Sequence, residues 1–118
     1  MNLNKIKDLI EKHPMYIATS TPKGLPHVIV VACVKILDSK KILVTDNYMT
    51  ITRKNIIANK KADILIYDKK WKGYNMKCSA KYHKSGKWLD FVKGMKENRT
   101  HPAKGAIIFT AAKITKVE

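Results

Sequence analysis

Seven consecutive residues, Val28-Ile29-Val30-Val31-Ala32-Cys33-Val34, form the most apolar segment of the chain and constrain its fold more than any other. The run is rich in β-branched side chains, which are stiff at χ1 and suit a pleated strand better than a helix. It shows no polar alternation, and that predicts a strand covered on both faces. Turn chemistry brackets it. Thr21-Pro22-Lys23-Gly24-Leu25-Pro26 supplies proline and glycine on one side, and Asp38-Ser39-Lys40 turns the chain on the other. The flanking segments Met15 to Ser20 and Lys41 to Thr45 read as strands, so three antiparallel strands in a meander are expected.

The rest of the chain continues the alternation of strand and turn. Asn4 is expected to cap an opening helix with Ile6, Leu9 and Ile10 on one face, stopped by Pro14. A short helical pattern runs from Thr52 to Asn59. Strands follow at Ala62 to Tyr67 and Tyr74 to Tyr82, the second with alternation at Met76, Cys78, Ala80 and Tyr82. Lys87 to Lys96 is amphipathic, with Trp88, Phe91, Val92 and Met95 on one stripe. Gly105 to Ile114 closes the chain as a long strand. Six strands and three helices in this order predict a mainly β (α+β) domain over residues 1–118, an antiparallel barrel with helices at its rim.

Composition narrows the function classes. A chain of 118 residues has room for a core but not for a separate substrate lobe. No apolar run approaches the ~20 residues that span a bilayer. The first residues lack a signal-peptide core, which predicts a cytoplasmic protein. Cys33 and Cys78 sit in apolar runs without metal-ligand spacing and read as buried, reduced thiols. His13, His27, His83 and His101 are scattered and match no metal motif; His27, between a turn and the apolar run, stands apart. No local spacing suggests a catalytic pair, so no catalytic residue is assigned. Trp71 and Tyr74 sit where the edge of a pocket is expected.

The net charge of +15 raises nucleic-acid binding as a possibility. Only Arg53 and Arg99 among the 24 basic residues are arginine, however, and the lysines are spread along the whole chain. That texture predicts a lysine-rich solvated surface with salt-sensitive polyanion binding and no specific nucleic-acid partner.

The segment Thr45 to Asn55 carries the clearest chemistry. Thr45, Thr50 and Thr52 bring hydroxyls and Asn47 an amide to a helix start, where Arg53 and Lys54 follow. Backbone N–H groups and the positive end of the dipole converge there, a poor place for cations unless an anion binds between them. Two readings stand: a threonine-capped helix with solvated cations, or a phosphate cradle.

A series of motifs then points to a family. Gly24-x-Pro26-His27, the buried strand, Leu43-Val44-Thr45-Asp46 and Thr52-Arg53-Lys54-Asn55-Ile56 resemble, in order and spacing, the pyridoxamine 5′-phosphate oxidase-like FMN-binding split barrels. Tyr74 to His83 is similar to the family's fifth strand, and Pro102 to Ile108 to its last. The likeness runs from about Met15 to the end and is closest to short, stand-alone FMN-binding members. It implies a six-stranded antiparallel split β-barrel of Greek-key type with short flanking helices, and a homodimer with flavin at the subunit interface. By the same resemblance, Arg53 and Lys54, with Thr52 beside them, bind the FMN phosphate; Thr50, in the same connection, is a further cofactor-binding candidate from its hydroxyl alone. Thr45, Asp46 and Asn47 line the ribityl chain and ring, and the backbone of Val30, Val31 and Ala32 reads the pyrimidine end. Cys78 stands where the family usually has glycine, which would crowd or re-aim the pocket floor.

The function so implied is that of an FMN-binding flavoprotein, a small oxidoreductase or electron-transfer protein with an unnamed redox partner or substrate. Storage or sensing of FMN, and non-specific nucleic-acid binding, are the alternatives. Oxidation of the vitamin phosphate itself is not expected, since the sequence ends at Glu118 without the extension that family members use for that substrate.

Overall fold

The computed structural model describes residues 2–32 and 34–118. A 3-10 turn, Leu3–Ile6, leads into α1, Lys7–Lys12. Asn2, rather than Asn4, caps this start: its side chain accepts from the Asn4 amide at 2.7 Å. Beyond Pro14 come β1 (Met15–Ser20), β2 (Pro26–Val31), β3 (Val34–Ile36) and β4 (Lys41–Asp46). Then follow α2 (Ile51–Asn59), β5 (Lys61–Tyr67), β6 (Gly73–His83), α3 (Lys87–Lys93), a 3-10 turn at Lys96–Asn98 and β7 (Gly105–Lys116).

All neighbouring strands are antiparallel, in the order β2-β1-β5-β6-β7-β4-β3. The sheet curls into the split barrel, with seven strands where six were expected. The extra strand comes from the apolar run. It breaks between Val31 and Val34, so β2 pairs with β1 at one margin of the sheet and β3 with β4 at the other. The expected meander is therefore replaced by a chain that steps from edge to edge and closes the barrel covalently. Cys33, expected as a buried thiol, lies outside the described residues.

Inward-facing side chains follow the period of two that a strand imposes. Met15 and Ile17 on β1, Ile64 and Ile66 on β5, Met76 on β6, and Ile107 and Phe109 on β7 are fully buried. Each contributes roughly 1.5–3 kcal/mol by leaving water. Leu3, Ile6 and Ile10 join the same core from the N-terminal turns. The strand buried on both faces is β4, not the apolar run: Ile42 and Val44 face the core, while Leu43 packs with Val92, Ala103 and Ala106 beneath α3. On β2 only Ile29 and Val31 reach the core, and Val28 and Val30 are 62% and 57% exposed. The reason is position. β2 is an edge strand, and α3 packs over β4 and β7 instead.

The third helix is shorter than its apolar stripe suggested. Gly94 ends it, its N–H reaching the carbonyls of Asp90 and Phe91 at 3.1 Å. Val92 is buried, whereas Phe91 stays exposed and edge-on to Trp88. Among the described residues, no helix is long and apolar enough to cross a membrane.

Candidate functional site

The end of β4 and the start of α2 are organised around one buried carboxylate. Asp46 is inaccessible to solvent, and both its oxygens are used. Oδ1 accepts from the Met49 amide at 2.9 Å, which folds the connection back toward α2. Oδ2 accepts from Arg53 Nε at 2.6 Å and from the Tyr82 hydroxyl at 2.5 Å. Gly105 pairs with Asp46 across β7, and a Cβ there would overlap the Tyr82 ring and hydroxyl. The absence of a side chain at Gly105 is what lets Tyr82 reach the carboxylate. The bond to Asp46 raises the Arg53 pKa further above its ordinary value. Burial, with the Asp46 carboxylate acting in the same direction, pushes the Tyr82 hydroxyl up to about 12.

The first turn of α2 carries donors without partners. Thr50 occupies the N-cap position but makes no side-chain cap bond, so the threonine-capped reading of this helix fails. Among the described residues, three buried side-chain atoms lack hydrogen-bond partners: Thr52 Oγ1, Arg53 Nη2 and His83 Nε2. Two of the three fall in this one turn. Unmet polar groups of this kind are costly in a finished fold and mark places where a ligand or water belongs. An uncapped helix start with a free hydroxyl and a free guanidinium nitrogen suits an anion. Lys54 is exposed beside them.

A hollow of about 290 Å³ opens next to this turn. One wall is the end of β2, Ile29 to Ala32; the other is Thr45, Asn47, Tyr48 and Met49. Of the residues singled out from sequence, Val30, Val31, Ala32, Thr45 and Asn47 line it. Asp46, Thr50, Thr52, Arg53 and Lys54 do not. Asp46 is occupied within the fold and serves as a positioning residue; the other four cluster at the neighbouring helix start.

The lining polar groups are themselves braced. Asn98, buried, donates to Thr45 Oγ1 at 2.9 Å and to the Val92 carbonyl at 2.8 Å. Asn47 Oδ1 accepts from the Ala103 amide at 2.9 Å, which ties the loop before β7 to the strand end. Tyr48 and His101 had no role assigned from sequence. Tyr48 lines the hollow, two-thirds exposed, and its hydroxyl lies 2.9 Å from His101 Nδ1. No local motif links residues so far apart; only the fold brings them together.

Other expectations resolve plainly. His27 is half-buried on β2 opposite Thr19 and does not line the hollow. Cys78 does not crowd it either: its thiol points into the core, donates to the Met76 carbonyl at 3.7 Å, and is pushed up to about 12 by burial. Arg99 is exposed in its loop. No group of three or more His, Cys, Asp or Glu among the described residues could hold a metal.

Comparison with known proteins adds to this geometry. A family model described as pyridoxamine 5′-phosphate oxidase matches residues 3–118. An uncharacterized protein of Methanocaldococcus jannaschii is 35% identical over 82 residues, covering 68% of this chain and 55% of that protein. The chain thus spans about half the length of this relative. Among solved structures, Group A Streptococcus HupZ superposes with a TM-score of 0.90 at 25% identity, over 99% of this chain and 94% of the other. An FMN-binding protein from Syntrophomonas wolfei superposes with a TM-score of 0.81 at 14% identity, over 98% and 86% of the two chains. At that identity the second likeness speaks for the fold.

Proposed function

The chain belongs to the pyridoxamine 5′-phosphate oxidase family, and from that premise we propose that it is an FMN-binding flavoprotein acting in redox or electron transfer. The observation that carries this reading is the pair of orphaned donors, Thr52 Oγ1 and Arg53 Nη2, in an uncapped helix turn beside the hollow. Thr50, Thr52, Arg53 and Lys54 would hold the phosphate. The ends of β2 and β4, from Val30 to Ala32 and at Thr45 and Asn47, would take the ring and ribityl chain. The resemblance to a named FMN-binding protein of the same fold supports the choice of flavin. When bound, the flavin supplies hydride or electron transfer at N5.

The protein's own contribution is positioning. Asp46 fixes Arg53 through Nε, which leaves the guanidinium's other nitrogens for a ligand. Asn98 and Asn47 hold the strand end against the loop before β7, so the lining does not have to order when a ligand arrives.

The hollow is open and lies at the low end of the ~300–1,000 Å³ typical of ligand pockets. It adjoins the exposed apolar residues Val28, Val30, Tyr48 and Ile51. These features support a homodimer in which a second copy covers β2 and supplies the missing wall.

The test is the visible spectrum of the purified protein, followed by titration with FMN and riboflavin. Thr52→Val keeps the shape of the side chain and removes only the orphaned hydroxyl. It is expected to weaken FMN about 10- to 100-fold, the scale of one hydrogen bond to a charged group, and to leave riboflavin unchanged. Equal loss for both ligands, or a protein that takes up neither, would refute the proposal.

A further inference from the structure

A second hollow, of about 550 Å³, lies away from the first, where the β5–β6 turn meets the N-terminal helix and the end of β7. Trp71 and Tyr74 both line it, together with Lys5, Lys72 and Lys116. Trp71 is held in an unusual way. Its backbone has φ +65°, a region that bulky side chains avoid. The turn is pinned by the Asp68 carboxylate, which accepts from the amides of Lys70 at 2.8 Å and Lys72 at 3.1 Å. The indole then lies flat on Tyr67, centroids 5.2 Å apart and planes 11° from parallel, and Tyr67 in turn lies flat on Tyr16 at 5.7 Å and 6°.

This three-ring ladder buries little of its last member, for Trp71 remains 76% exposed. One indole face rests on Tyr67 and the other is free. Lys69, Lys70 and Lys72 flank the ring in sequence, which gathers three of the chain's dispersed lysines at this tip. Two carboxylates also line the hollow, and neither dominates it: Asp68 is engaged by the turn amides, and Asp8 faces Lys12 at 4.0 Å.

We propose that this turn and its hollow form a binding site for single-stranded nucleic acid, with one base stacked on Trp71 and backbone phosphates on Lys72, Lys116 and Lys5. An open aromatic face among cations is the chemistry that sequence-tolerant single-strand binders use. A polymer fits better than a mononucleotide, because the rim offers separated lysines and no arginine to converge on one phosphate. A ring laid flat against the protein also presents a face to stack upon, where a membrane anchor would project its indole outward.

The site is independent of the flavin reading, and its test keeps the two apart. A labelled fifteen-residue oligothymidine is titrated into the full chain with and without FMN, following anisotropy and tryptophan fluorescence. Trp71→Ala is expected to lose about 5- to 150-fold in affinity, the range for one base–aromatic stack, with flavin uptake intact. Trp71→Phe should recover most of that loss, and Lys72→Gln with Lys116→Gln should lower the salt slope by about 0.7 per lost phosphate contact. An unchanged affinity in Trp71→Ala would overturn the proposal. So would equal binding of a duplex or an abasic strand, competition by AMP as strong as by the oligomer, or tighter Trp71-dependent binding to phosphatidylserine vesicles.

Discussion

Asp46, a candidate ligand contact in the sequence, is engaged through both its oxygens inside the fold. Its sequence position, between a strand end and a helix start rich in threonine and cations, marks it as part of a ligand site. In the fold it has no free oxygen, and its work is to aim Arg53 and Tyr82. Removing one partner from a buried ion pair costs about 3–5 kcal/mol. Arg53→Ala should approach the lower end of that range, because the Arg53 side chain is itself 28% exposed. Urea denaturation of the flavin-free protein checks this, and a loss below about 1 kcal/mol would mean that the pair is not structural. Thr52→Val, by contrast, should leave that stability unchanged or raise it, since it removes an unmet hydroxyl.

Tyr82, with Cys78, sets an alkaline limit. Cys78 is raised from 9.0 to about 12 by burial, and Tyr82 from 10.0 to about 12 by burial and the Asp46 carboxylate. Both hold their protons in the fold after the unfolded chain has lost them. The unfolded state therefore binds fewer protons, and stability falls as pH rises from 9 toward 12. Urea midpoints should be level below pH 9 and decline above it, and Tyr82→Phe combined with Cys78→Ala should flatten the decline.

At the scale of elements, most of the fold was legible. Period-two patterning and turn residues located β1, β4, β5, β6 and β7 to within a residue or two at each end. The apolar run misled because lack of alternation has two causes. In β4 it reflects cover on both faces; in β2 it reflects an edge strand with one apolar face left open. Composition alone does not separate them, since which strand a helix will cover is decided by topology. The helix start of α2 was legible from its threonines and cations. Tyr48, Asn98 and His101 were not, for they meet across more than 50 residues of chain. Pairing of β4 with β7 also depends on Gly105. Gly105→Ala should displace Tyr82 and cost about 1–3 kcal/mol, as overpacking does. Thermal unfolding measures the loss, and adding Tyr82→Phe should recover less than half of it, because the ring as well as the hydroxyl is in the way.

For the molecule as a whole, the proposed dimer rests on the open side of the hollow and the bare face of β2. Sedimentation at micromolar concentration is expected to give a dimer, and Val30→Glu a monomer that binds FMN at least tenfold more weakly. A wild-type monomer with full flavin occupancy would remove the shared pocket. That β2 and β3 follow one another in the chain yet lie at opposite margins of the sheet has a consequence of its own, because covalent continuity ties those margins together. A circularly permuted gene with its new termini between the two strands would yield an open ribbon bounded by two raw margins, β2 and β3. Such a product should aggregate under conditions that leave a variant permuted at Lys23 clear, and light scattering distinguishes the two.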